Sequence, residues 1–138
     1  MKILLVEGDF LLADALETAL VDAGHTVIGV ASIANAALGA VRSAKPALAL
    51  VNIKLADGSR GTDVARTLLK RFGVRSLFVS GSPQEARLAA DAALGFICKP
   101  YNPQDVLASI EVAKSIMAGQ SPAGVPSALE LFDRRPDA

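Results

Sequence analysis

Cysteine, tryptophan and surplus charge are nearly missing from this chain. One cysteine, Cys98, excludes an intramolecular disulfide and a cysteine zinc site. Fourteen basic residues balance fourteen acidic ones, so there is no electrostatic footprint for nucleic acid. No apolar run approaches the roughly 18 residues of a membrane-spanning helix. The N-terminus, Met1-Lys2-Ile3, runs straight into a strand pattern without signal-peptide architecture, so a cytoplasmic location is expected. Aromatics make up only 4%, and no glycine-rich phosphate loop or nucleophile–base pair is visible. A small α/β enzyme or a flavin-binding domain therefore has little support, and the expected class is not an enzyme.

What is present is aliphatic. Apolar residues reach 51%, much of it alanine, and 138 residues suffice for one domain with a real core. The organising stretch is Ala47-Leu48-Ala49-Leu50-Val51-Asn52-Ile53-Lys54-Leu55-Ala56-Asp57-Gly58. Its apolar start, set off by Lys45-Pro46, reads as a strand buried on both faces. Asn52 ends that strand, and Asp57-Gly58 reads as turn chemistry.

Ile3 to Val6 is a first buried strand, and Asp9 is placed to cap the helix after it. That helix keeps Leu12, Leu16, Ala19, Leu20 and Ala23 on one face and ends at Gly24, beside a solvent-facing His25. Thr26 to Ala31 is a strand, with Ser32 a candidate cap for a helix carrying Ile33, Ala37, Leu38 and Val41 inward. A third helix buries Val64, Ala65, Leu68 and Phe72. Ser76 to Val79 is a strand closed by Ser80-Gly81. Ser82-Pro83-Gln84-Glu85 starts a helix to about Ala93 whose only large apolar side chain is Leu88, so it is expected to be loose. Leu94 to Cys98 is a fifth strand with Cys98 a buried thiol, and Asn102-Pro103-Gln104-Asp105 starts the last helix.

Five alternations of strand and helix with short connections predict a three-layer, doubly wound, flavodoxin-like α/β domain. Its parallel sheet is expected to have five strands in order 2-1-3-4-5 over residues 1–118. Residues 119–138 read as a flexible tail, with one helical turn over Ser127 to Phe132 and disorder from Arg134 onward. Ligand chemistry on such a sheet sits beyond the carboxyl ends of the strands, here Glu7-Gly8, Asn52, Ser80 and Lys99.

Those strand ends resemble the receiver domain of two-component response regulators. The resemblance rests on Leu5-Val6-Glu7-Gly8-Asp9, Asn52 to Gly58, Ser80-Gly81 and Lys99-Pro100-Tyr101, in order and at matching spacing. In that family an acidic pair after strand one binds Mg²⁺, and an aspartate after strand three takes a phosphoryl group from a histidine kinase. The resemblance makes Ser80 the switch hydroxyl, Phe96 the switch aromatic, Lys99 the phosphate-contacting lysine and Glu7 the first acid. It also puts Gly8 on the second acid and Asn52 on the phosphoacceptor.

The two departures fall where the chemistry needs charge. An amide has no anionic oxygen to form an acyl phosphate. Mg²⁺ enters protein sites through carboxylates, and only Glu7 remains, with the Lys54 carbonyl a neutral possibility. Glu7 and Lys99 can also neutralise each other without metal. The expectation is an atypical receiver, not phosphorylated in the usual way, with Mg²⁺ weak or absent and no cofactor. It would signal by protein contact, with a histidine kinase or another two-component protein as partner. The alternative is a phosphoacceptor receiver whose natural aspartate at 52 has been replaced. On its own residues Phe96 reads as a partly buried core aromatic. Val112 and Ile116 widen the apolar face of the last helix, to be covered by the tail through Val125, Leu129 or Phe132, or by a second copy in a homodimer.

Overall fold

The computed structural model describes residues 1–132. Helices and strands alternate as β1 (Lys2–Val6), α1 (Phe10–Asp22), β2 (Thr26–Ala31), α2 (Ala34–Ser43), β3 (Leu48–Asn52), α3 (Gly61–Phe72), β4 (Arg75–Ser80), α4 (Pro83–Leu88), β5 (Gly95–Cys98), α5 (Pro103–Met117) and β6 (Leu129–Leu131). The sheet has six strands in order β2-β1-β3-β4-β5-β6. The first five run parallel in the expected order, and the sixth pairs antiparallel with β5.

The unbroken apolar strands are explained by two cores. Strand side chains alternate between faces, so Leu4, Val6 and Val51 join α2, α3 and α4, while Ile3, Leu5 and Leu50 join α1 and α5. A strand covered on both sides has no solvent face to carry polar residues. The domain is therefore three-layered and doubly wound.

Three local expectations are corrected. Helix α4 stops at Leu88 rather than Ala93, and the chain continues through tighter bonds such as Ala92 N–H to the Ala89 carbonyl, 2.9 Å. Leu88 is 82% exposed, because alanines 86, 89, 92 and 93 bring the backbone down onto the sheet and supply the buried face. The hydroxyl of Ser32 does not cap α2; the Ala34 N–H donates instead to Ser59 Oγ, 3.2 Å, from the loop after β3. Ala23, assigned to the inner face of α1, is exposed, and Ala13 is buried in its stead.

The largest correction concerns the tail. A five-stranded sheet with a flexible stretch after residue 118 was expected, and Ser127 to Phe132 was read as a helical turn. Leu129–Leu131 is instead a strand. Cys98 N–H donates to the Ala128 carbonyl, 2.9 Å, and Phe132 N–H to the Leu94 carbonyl, 3.0 Å. Gly95 permits this pairing, since a Cβ there would lie 2.4 Å from the Glu130 carbonyl oxygen. Leu129 enters the core that buries Val112, and Ile116 packs half-buried against that core, so part of the widened stripe of α5 is covered within the chain. Phe132 crosses to the other face, its ring centroid 5.9 Å from Phe96 and 6.5 Å from Phe78. Val125 stays exposed. The expected disorder from Arg134 onward lies outside the described residues.

Candidate functional site at the carboxyl ends of the strands

The parallel register brings the ends of β3, β4 and β5 together at one edge. Asn52 closes β3, Ser80 closes β4, and Lys99 follows β5. They line a cleft of about 290 Å³ with Lys54, Gly81, Ser82 and Glu85. An Arg60–Glu85 ion pair ties the loop before α3 to α4 at its mouth. The pairing itself leaves no trace in the sequence, because a contact between residues 25 apart has no local signal. Asp9 takes its expected place as the cap of α1, accepting from the Leu11 and Leu12 N–H groups at 3.0 and 3.2 Å. Asp57 likewise makes its expected turn, accepting from the Ser59 N–H at 2.9 Å. The Ser59 hydrogen bonds hold its carboxyl below the usual range. His25 is not solvent-facing but half-buried, its Nδ1 3.2 Å from the N-terminal amine, and desolvation first, then that amine, lowers its pKa.

The centre of the site is a carboxylate–amide pair. Glu7 is 2% exposed, and its Oε2 accepts from Asn52 Nδ2 at 2.7 Å and from the Asp9 N–H at 3.0 Å. A carboxylate only accepts, so the amide must turn its nitrogen toward Glu7. An aspartate at 52 would instead hold two anionic oxygens at that spacing, a repulsion of several kcal/mol at a protein-like dielectric. Asparagine thus replaces with one hydrogen bond what a cation would otherwise have to do. The other oxygen, Glu7 Oε1, is buried without a donor. Leaving such an acceptor unmet costs about 1–3 kcal/mol.

Gly8 adds a second, steric point. A Cβ built on it would lie 2.8 Å from the Ala56 nitrogen and 3.1 Å from the Leu55 carbonyl carbon. The loop after β3 has closed over that position, pinned by the Ala56 N–H to the Ser32 carbonyl at 2.9 Å. The residues do not fit the family's divalent ion. The one buried carboxylate is already engaged with an amide, and among the described residues no second carboxylate stands beside it to share an octahedral ion. Among the described residues no group of three His, Cys, Asp or Glu side chains converges.

The remaining positions are engaged in ways the sequence did not foretell. Ser80 Oγ accepts from the Ser82 N–H at 2.9 Å and donates to the Ser82 carbonyl at 3.3 Å, so its hydroxyl serves the turn. Lys99 lines the cleft but makes no ion pair with Glu7, so the neutralisation open to the two is not made. Asn52, at the end of β3, holds that carboxylate instead. Phe96 is fully rather than partly buried, with the Arg87 guanidinium 5.7 Å from its centroid on one side and Phe132 on the other. Cys98 is half-buried, not a fully buried thiol. Tyr101, unremarked beforehand beyond its motif, carries a buried hydroxyl without partner. Desolvation first, then the charges of Glu7 and Asp9, push it up to about 12.

A doubly wound sheet with this lysine, hydroxyl and acid at its strand ends defines a receiver-type signalling domain. The chain belongs to the response regulator receiver domain family, whose model matches residues 3–111. It is similar to the phyllosphere-induced regulator PhyR of Methylorubrum extorquens, 39% identical over 114 residues, which are 81% of this chain and 43% of that protein. The solution structure of the PhyR response regulator REC domain of Erythrobacter litoralis matches at TM-score 0.75 and 31% identity, over 90% of this chain and 95% of that one. A mutant of the anti-anti-sigma factor PhyR from Bartonella quintana matches at TM-score 0.76 and 27% identity, over 86% of this chain and 50% of that one. The chain thus spans about half the length or less of the whole PhyR proteins it matches.

Proposed function

We propose that this receiver domain signals by protein contact and is not phosphorylated in the Mg²⁺-dependent way of its family. The hydrogen bond from Asn52 Nδ2 to Glu7 Oε2 carries this reading. It engages one oxygen of the acid within the chain and leaves no anionic oxygen at residue 52 to take a phosphoryl group. The closed space at Gly8 supports it independently and speaks against a lone Asp-to-Asn replacement in an otherwise intact site. On this reading the chain is not an enzyme, needs no cofactor and works in the cytoplasm. Its partner is a histidine kinase or another two-component protein, or a protein of the kind an anti-anti-sigma factor engages. A homodimer is a further possibility, though part of the stripe on α5 that suggested it is buried within the chain.

Incubation with acetyl phosphate and Mg²⁺, followed by intact mass, tests the reading. The unmodified mass is expected. A labile adduct of about 80 Da mapped to residue 52 and dependent on magnesium would overturn it.

A further inference from the structure

A second depression shares no lining residue with the cleft. It is a groove of about 480 Å³ between α1 and the end of β2, and Asn52 and Lys99 take no part in it. Glu7 forms part of its floor, Asp14 and Glu17 stand on α1, and Phe10, Ala13 and Val30 supply apolar walls. Phe10 is 82% exposed and Val30 45%. Glu7 Oε2 is held on the Asn52 side, and Oε1, buried, has no donor. Among the described residues none of the three carboxylates has an ion-pair partner.

We propose that this groove is the docking site for an arginine side chain presented by a partner protein. The guanidinium is a planar, multidentate donor that matches carboxylates and stacks on aromatic faces. It would face the Glu7 side chain in the groove lining and the acids of α1, with the Phe10 ring available for cation–π contact. Its methylene stem finds Ala13 and Val30, where a bare metal ion would find nothing. Mg²⁺ is the poorer fit, because it demands several oxygens in an octahedron and the walls are hydrocarbon. A partner side chain is favoured over a free small cation because the apolar surface continues past the groove. Leu11, next to Phe10 on the first turn of α1, is 78% exposed. The proposal deepens the reading of contact signalling by naming the partner's chemistry, and the two can fail separately.

The test is an NMR titration of the full ¹⁵N-labelled chain with three probes: the capped peptide Leu-Arg-Leu, its citrulline counterpart, and MgCl₂. The arginine peptide is expected to shift the amides of Gly8, Ala13, Val30 and Ala56 saturably. Citrulline, which keeps the shape and loses the charge, should bind at least roughly tenfold more weakly. Phe10→Ala and the double change Asp14→Asn with Glu17→Gln should each weaken the arginine peptide by about three- to tenfold. All three side chains lie on the surface of α1, and undisturbed spectra of the variants check that the fold is kept. Equal binding of the citrulline peptide would overturn the proposal. So would shifts centred on Asn52 and Lys99, full affinity in the variants, absence of any shift, or equal occupation of the groove by Mg²⁺. None of these outcomes bears on the acetyl phosphate assay, which reads residue 52 alone.

Discussion

The carboxyl end of the sheet and its β5 edge solve the same problem by opposite means. At the strand ends a charge is stabilised by a polar neighbour, one amide 2.7 Å from one carboxylate. At the edge an exposed strand is stabilised by covering it, with three residues of β6 and the ring of Phe132 behind them. The first arrangement rests on single atoms and reports substitutions through charge. The second rests on buried area and reports them through volume. The strand ends therefore answer to a change in a single polar group, while the edge answers to the loss of buried volume.

That contrast can be tested from the edge inward. Phe132→Ala should have the largest effect, a loss of about 3–4 kcal/mol in urea unfolding, since it empties a site between two buried rings. A loss below about 1 kcal/mol would mean the edge does not need its cover. Asn52→Asp should cost about 2 kcal/mol at neutral pH, because it places two carboxylates in one buried site. The pair must then share a proton, so the new acid titrates above its unfolded value. The penalty is full above that raised pKa and shrinks as pH falls through it. A variant equally unstable at pH 5 and pH 7.5 would contradict the electrostatic account. Gly8→Ala should cost about 1–2 kcal/mol by pushing the Ala56 backbone away, and a crystal structure should show the loop displaced. A neutral substitution would mean the loop yields freely.

The smallest effect is spectroscopic. With one tyrosine and no tryptophan, phenolate absorbance reads Tyr101 alone. It should ionise near pH 12, and Glu7→Gln should lower the midpoint by less than burial raises it. The unfolded chain ionises near 10. A phenol raised in the fold contributes stability below that value and loses it as pH climbs toward 12. A native midpoint close to 10 would place the ring in solvent.

Much of this was legible because its causes are local or periodic. Alternation of apolar runs with helical spacing yielded the doubly wound sheet and the order of its first five strands. Turn residues marked the strand ends, and the departures at Gly8 and Asn52 stood out because a missing charge is visible in one letter. Local pattern failed where a contact had to be made across distance. Leu129-Glu130-Leu131 is too short and too mixed to declare itself a strand. It becomes one because Gly95, more than thirty positions earlier, leaves room for its backbone. Leu88 misled for a related reason: the buried face belongs to the alanines, which only the closeness of α4 to the sheet reveals.

By itself the sequence determined the layers, the strand that carries Asn52 and the absence of an acid beside Glu7, since each follows from side-chain chemistry and period. Tertiary structure alone decided that Asn52 rather than Lys99 holds Glu7, that the loop at Ala56 fills the space beyond Gly8, and that the tail completes the sheet. Those outcomes depend on which atoms arrive within 3 Å of each other, and no order of letters states a distance.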